Sequence, residues 1–289
     1  MGEDWFVLRS ALKVLAKDDV AEALVLCARE PVANLFVAAR LMALQADPRR
    51  HGGEIWGWYE GGEMRSACWS GANLVPVSAT EQAVEAFAHR ARRNGRQCSS
   101  IVGPAAAVLG LWQYLQSSWG PARDIRANQP LMALSGPPLV APDPAVRRSR
   151  PAELELLVPA CVAMFTEEVG YSPVASDGGA VYRAQVNSLV TAGRSFVRIE
   201  DTGTGPQVVF KAELGSVIPE AVQVQGVWVS PRYRGRGLAA PAMASLVNIV
   251  QREVAPVVSL YVNGYNTRAV RAYERVGFQT VGTYATILF

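Results

Sequence analysis

The chain is poor in the residues that build metal centres and disulfide frameworks. Its 289 residues include two histidines, His51 and His89, and four cysteines, Cys27, Cys68, Cys98 and Cys161. The cysteines are far apart and form no C-x-x-C pair, which argues against a disulfide scaffold or a zinc site. The histidines stand apart from any ligand cluster, so no metal site is read. Long apolar runs are also missing; none approaches the ~20 residues of a membrane-spanning helix. The acidic start, Met1-Gly2-Glu3-Asp4, lacks the basic-then-apolar pattern of a signal peptide. A soluble, cytoplasmic protein is the expectation. Neither sign of charge dominates. Lys and Arg number 28 against 25 Asp and Glu, a net +3, too little to argue by itself for nucleic acid. The pairs Arg49-Arg50, Arg92-Arg93 and Arg147-Arg148 suit solvated loops and helix ends.

What is plentiful is apolar. Hydrophobic residues make up 50% of the chain, ample for packed cores, and the length suggests one large or two ordinary domains. The least regular stretch is Ser135-Gly-Pro-Pro-Leu-Val-Ala-Pro-Asp-Pro144, whose prolines preclude a continuous helix or a central strand. The boundary is placed there, giving domains 1–140 and 141–289.

The two halves read alike. In the first, Asp18 or Asp19 caps a helix to about Ala28, and a second helix runs from Pro31 to Gln45. Strands follow at Glu54–Tyr59, Glu63–Trp69 and Leu74–Ser78. Thr80 then caps a helix through Arg93, followed by a strand at Ser99–Val102 and a helix at Ala105–Gln116. In the second, helices at Ala152–Thr166 and Gly179–Thr191 precede strands at Ser195–Glu200, Gln207–Glu213 and Val222–Val229. A helix at Gly237–Arg252, a strand at Val257–Val262, a helix at Thr267–Val276 and strands to Phe289 complete it. This order points to a duplicated α/β unit, although sequence identity between the halves is not evident.

The chemistry-bearing stretch is Gln225-Gly-Val-Trp-Val-Ser-Pro-Arg-Tyr-Arg-Gly-Arg-Gly-Leu-Ala239. A β-branched strand enters a Gly-rich turn that opens an amphipathic helix with Ala242, Leu246, Ile249 and Val250 at helical spacing. Gly235 and Gly237 allow close backbone approach to a ligand. The helix N-terminus offers free N–H groups and partial positive charge, an anion site. Arg232, Arg234 and Arg236 add formal charge. Pro241, lacking an N–H, sets the helix start near Gly237. A Walker loop is excluded because no Lys-Ser or Lys-Thr follows the glycines. A dinucleotide fingerprint would tolerate Ala240 at its third position, but it normally opens a domain and wants an acidic residue after Val262. An RNA-binding RGRG segment would be repetitive rather than set between a strand and a helix.

Arg232-x-x-Gly235-x-Gly237 resembles the R/Q-x-x-G-x-G/A motif of the GNAT N-acetyltransferase superfamily. Gly226-Val-Trp-Val-Ser-Pro231 is similar to its fourth strand. Leu260-Tyr-Val-Asn263-x-x-Asn266-x-x-Ala269-x-x-x-Tyr273-Glu274-x-x-Gly277-Phe278 is similar to its fifth strand and following helix. The resemblance covers roughly Val146 to Phe289, and the whole chain resembles two-domain actinobacterial GNAT proteins with an N-terminal domain of unknown function. It implies tandem GNAT-like mixed-sheet α/β domains, with acetyl-CoA or another acyl-CoA as co-substrate and no metal.

Carried over residue by residue, the backbone from Tyr233 through Arg234, Gly235, Arg236, Gly237 and Leu238 to Ala239, with Arg232, would hold the pyrophosphate. Val227 and Val229 would bond the pantetheine arm and acyl carbonyl. Asn266 would contact the cofactor, or cap the next helix, or both. Tyr273 would protonate the leaving thiolate, or be a core aromatic only. Glu213, read as ending its strand on the same face as Val209 and Lys211, is the candidate general base; an ion pair with Lys211 is the plain alternative. Glu167 and Glu168 could instead bind a cationic substrate. Trp228 reads as core or pocket wall, and Tyr171 and Tyr182 as groove lining or surface packing. The cysteines need no role. Val75-Pro-Val-Ser-Ala-Thr80, where the first half should carry the motif, has no Gly pair and no Arg, so that half is expected to be a degenerate copy without cofactor.

The resemblance implies an acyl-CoA-dependent N-acyltransferase. A CoA-sensing module without turnover is the alternative, and an RNA-associated protein a third reading that lacks a clear aromatic-basic face. The acceptor is left open between a small amine, an amino acid and a protein amine.

Overall fold

The computed structural model describes residues 11–46, 52–175, 178–203 and 205–289. His51, Arg49-Arg50 and the acidic start Met1–Asp4 lie outside them. The strands are β1 (Ala11–Val14), β2 (Gly53–Glu60), β3 (Glu63–Gly71), β4 (Asn73–Val77), β5 (Ser100–Pro104), β6 (Asp124–Leu134), β7 (Arg147–Arg148), β8 (Ser195–Asp201), β9 (Pro206–Val217), β10 (Ala221–Val229), β11 (Val257–Tyr261) and β12 (Gln279–Leu288). The α-helices are α1 (Val20–Ala28), α2 (Leu35–Ala46), α3 (Glu81–Asn94), α4 (Ala105–Trp119), α5 (Leu154–Val169), α6 (Ala180–Thr191), α7 (Ala239–Glu253) and α8 (Thr267–Val276). Two compact units result. The first takes the described residues up to Leu131 with Tyr261–Tyr265 and Thr280–Phe289; the second takes Met132–Leu260 and Asn266–Gln279.

In the first unit the sheet runs β1-β2-β3-β4-β5-β12. Every neighbouring pair is antiparallel except β4–β5, which is parallel. The second unit runs β7-β8-β9-β10-β11, again antiparallel but for the parallel pair β10–β11. Each parallel step needs a crossover, and a helix supplies it: α3 in the first unit, α7 in the second. The units share one order of elements and form tandem mixed-sheet α/β domains. Short β1 and β7, mostly polar or exposed, precede the pattern read from sequence.

Apolar periodicity explains the layers. In the first unit α3 and α4 bury Phe87, Val108, Leu111 and Leu115 against Trp56, Leu74 and Ile101 of the sheet, with Ala285 and Ile287 of β12 in the same cluster. In the second unit α5 and α6 set Leu157, Cys161, Val186 and Val190 against Val197 of β8 and Val208 of β9. A fully buried Leu or Phe contributes about 1.5–3 kcal/mol relative to exposure. These faces therefore fix how the helices lie on their sheets.

Two local expectations are corrected. The second helix begins at Leu35 rather than at Pro31, because residues 31–34 form turns. Glu213 does not end its strand: β9 continues to Val217, and Glu213 is interior and buried.

Candidate active site

In the second unit β10 and β11 are hydrogen-bonded partners only at Ala221–Val257, Val222–Val258 and Gln223–Ser259. Beyond that point the two strands part, so the β11-facing edge of β10 from Val224 onward has no ladder partner there. Val227 and Val229 lie on this diverging stretch. The Val229 carbonyl accepts a hydrogen bond from Arg234 Nε at 2.9 Å.

The Gly-rich loop sits at the end of β10. Nine residues, Ser230 to Leu238, separate β10 from α7. Pro231–Tyr233 form a 3₁₀ turn, and Gly235 and Gly237 adopt φ of +76° and +74°. A left-handed backbone is nearly free for glycine and costly for a β-branched residue. A Cβ at either position would meet nothing within 4 Å, so the glycines are demanded by backbone conformation, not by crowding within the chain. Helix α7 starts at Ala239, two residues after Gly237, and no side chain caps it. Pro241 lies in the first turn. The open amides of that turn keep the partial positive charge of the helix end.

The arginines divide their tasks. Arg234 Nη2 binds Glu167 Oε2 at 2.6 Å, and Trp228 Nε1 binds the other Glu167 oxygen at 3.2 Å. Arg236 stacks on the Tyr233 ring with 5.2 Å to its centroid. Arg232 is exposed. Asn266 caps α8, its side chain accepting from Ala269 N at 3.2 Å.

The first unit is built differently at the matching turn. Only Ser78, Ala79 and Thr80 separate β4 from α3. Thr80 Oγ1 accepts from Ala83 N, and Ser66 Oγ donates to Ser78 O and accepts from Thr80 N. The helix end is satisfied by the protein's own side chains, and no loop projects from it.

A second feature lies on β10. Across the β9–β10 ladder Gln225 faces Glu213 and Trp228 faces Lys211, so Gly226 and Val227 stand opposite the single residue Ala212. Gly226 has φ +59°. This is a β-bulge with a left-handed glycine, which bends the strand and re-aims its neighbours. Beside it a cavity of about 210 Å³ is lined by α5, α6, β9 and β10, including Met164, Phe165, Tyr182, Gln185, Glu213 and Gln225.

Lys211 is completely buried, and its ammonium binds Glu213 Oε1. The Cys161 thiol, 3.6 Å away, donates to the same oxygen. Burial pushes that thiol up to about 11, with the adjacent Lys211 opposing. Tyr182 donates to the Cys161 carbonyl at 3.0 Å, and burial, Cys161 and Glu213 all raise its phenol. Tyr171 packs edge-on against Phe165 at 5.5 Å and remains exposed.

Tyr273 on α8 is 7% exposed and packs against Phe278. Burial, then the Glu168 carboxylate, holds its phenol protonated well above the usual range. It does not line the cavity. Glu213 and Tyr273 thus stand in separate surroundings, both within the second unit. The bulge, Gln185 and the engagement of Cys161 went unread in the sequence. A glycine between strand-forming residues at Gly226 was the available signal. Among the described residues no group of His, Cys, Asp and Glu could hold a metal, and no helix is long and apolar enough to cross a membrane.

Residues 192–278 match the model of the acetyltransferase (GNAT) family, and residues 53–157 match a domain of unknown function, DUF4081. Mycothiol acetyltransferases of two Corynebacterium glutamicum strains are 42% identical over 60 residues, which is 21% of this chain and 20% of those relatives. The match thus spans about a fifth of their length. The tandem GNAT protein from the clavulanic acid biosynthesis pathway is similar in fold, with TM-score 0.56 at 15% identity over 97% of this chain and 98% of that one. The GCN5-related N-acetyltransferase of Sphaerobacter thermophilus gives 0.58 at 18% identity over 96% and 94%. A GNAT-family acetyltransferase of Colwellia psychrerythraea gives 0.54 at 12% over 96% and 99%. With the open loop, the parting strands and the family match falling on the same segment, the second domain belongs to the GNAT family of acetyltransferases and is preceded by a DUF4081 domain.

Proposed function

We propose that the second domain transfers an acyl group from acyl-CoA, acetyl-CoA in the first instance, to an amine acceptor by direct attack. The observation that carries this reading is the uncapped start of α7 behind Gly235 and Gly237, at the end of the strand whose edge parts from β11. The donor set fits a pyrophosphate: backbone amides from Tyr233 to Ala239, glycines with open space before them, and Arg232 and Arg236 nearby. Arg234 serves by holding the loop to α5 through Glu167. The β10 edge at Val227 and Val229 would receive the pantetheine arm, and Asn266 would meet the cofactor while capping α8.

When bound, acyl-CoA supplies a thioester as the activated acyl donor. The chain's residues handle the protons. An alkyl amine with a pKa near ~10.4 is charged at neutral pH and must lose a proton before it attacks. Glu213, on the cavity wall, accepts it. Tyr273, held protonated, is the acid for the departing thiolate. The cavity takes the acceptor, and the first domain is a degenerate copy without cofactor.

A panel of amines incubated with acetyl-CoA, read by release of free thiol, tests the proposal. Acceptor-dependent thiol release is expected. CoA binding without release for any amine would leave a sensing module instead.

A further inference from the structure

The two oxygens of Glu213 have different surroundings. Oε1 accepts from the Lys211 ammonium and from the Cys161 thiol. Oε2 faces Gly226, where a Cβ would come within 3.3 Å of it and within 3.2 Å of Lys211 Nζ. The glycine therefore leaves room at Oε2 that any side chain would fill, on the wall of the 210 Å³ cavity.

A buried ion pair is weak evidence for stability, since an apolar pair of similar volume often serves as well or better. Lys211 is 0% exposed and points along its own strand to a residue two positions on.

We propose that Lys211 is a positioning residue for Glu213: it ties Oε1, so that Oε2 is the atom left to take the acceptor's proton. This rests on the reading of Glu213 as base. The proton leaves the acceptor nitrogen for Oε2 and passes on to solvent after transfer; no other reactant is needed. Among the described residues, the charged or titratable groups facing Glu213 are Lys211 on β9, Cys161 on α5 and Tyr182 on α6. The last two stay neutral far into the alkaline range. Lys211 is therefore the cation in contact with the carboxylate. Its loss favours the neutral acid, because a buried carboxylate without an opposite charge titrates higher.

The test uses the full chain with acetyl-CoA and an accepted amine. Lys211→Met should move the acid limb of the kcat/KM profile to higher pH by about 1–3 units. The carboxyl resonance of Glu213 should shift with it in the protein without substrates, followed by carbon NMR. Lys211→Arg keeps the charge, but its fork engages both oxygens. It should leave the limb in place and lower turnover at least tenfold. The double variant Lys211→Met/Glu213→Gln controls for folding. An unmoved acid limb and resonance in Lys211→Met, with Glu213→Gln still impaired, overturns the role of Lys211 and spares the base. Should Lys211→Met not fold, full turnover in Lys211→Arg overturns the division between the two oxygens. Unimpaired Glu213→Gln overturns both readings.

Discussion

Arg234 reaches back from the Gly-rich loop to Glu167 at the end of α5, its Nη2 2.6 Å from the carboxylate while its Nε holds the Val229 carbonyl. One side chain thereby ties the loop to both the strand that enters it and helix α5. Both partners are 44% exposed, so the pair itself contributes only about 0.2–1 kcal/mol. Arg234→Ala should weaken CoA binding by no more than about fivefold, an effect that shrinks in added salt. Calorimetric titration checks both. A loss far beyond fivefold would mean that Arg234 meets the phosphates directly.

Gly235→Val should do more harm than Arg234→Ala. The space beyond Gly235 is open, but φ of +76° is a conformation a β-branched residue resists. The loop must rearrange at a cost of about 1–3 kcal/mol. Since the loop is surface structure, that cost should fall on CoA affinity, with little change in Tm. Wild-type affinity in Gly235→Val would sink the assignment of this loop.

Tyr273→Phe removes only a hydroxyl. Turnover should fall about 10²–10⁴-fold with CoA binding nearly intact, the span typical of a general acid. Because burial and Glu168 raise the phenol, it stays protonated as pH rises through the ordinary tyrosine value of about 10. The wild-type kcat should accordingly show no fall centred there. Unchanged turnover in the variant would make Tyr273 a packing residue.

The last prediction concerns cutting the chain. β12 pairs with β5 from Tyr284–Pro104 to Leu288–Ser100 and buries Ala285 and Ile287 in the first core. A fragment ending near Val140 lacks that strand and exposes the β5 edge, an invitation to aggregation. It should be less stable than the same fragment supplied with residues 279–289 through a flexible linker. Equal Tm values for the two would show that β12 is dispensable to the first unit.

Local structure was legible in the order of residues alone. Period-2 and period-3.6 apolar patterns placed the core strands and helices, Thr80 announced its cap, and the Arg-x-x-Gly-x-Gly run placed a Gly-rich turn between a strand and a helix. Local signals suffice there because caps, left-handed glycines and amphipathic faces act within a few residues. Features that depend on distant partners emerge only on folding. Only the folded chain shows β12 returning to the first unit, because strand pairing is a long-range choice that alternation does not encode. Only it extends β9 past Glu213 to Val217. And only the bulge at Gly226, a mismatch between two strands, brings the Glu213 carboxylate to a cavity wall between Lys211 and an open space.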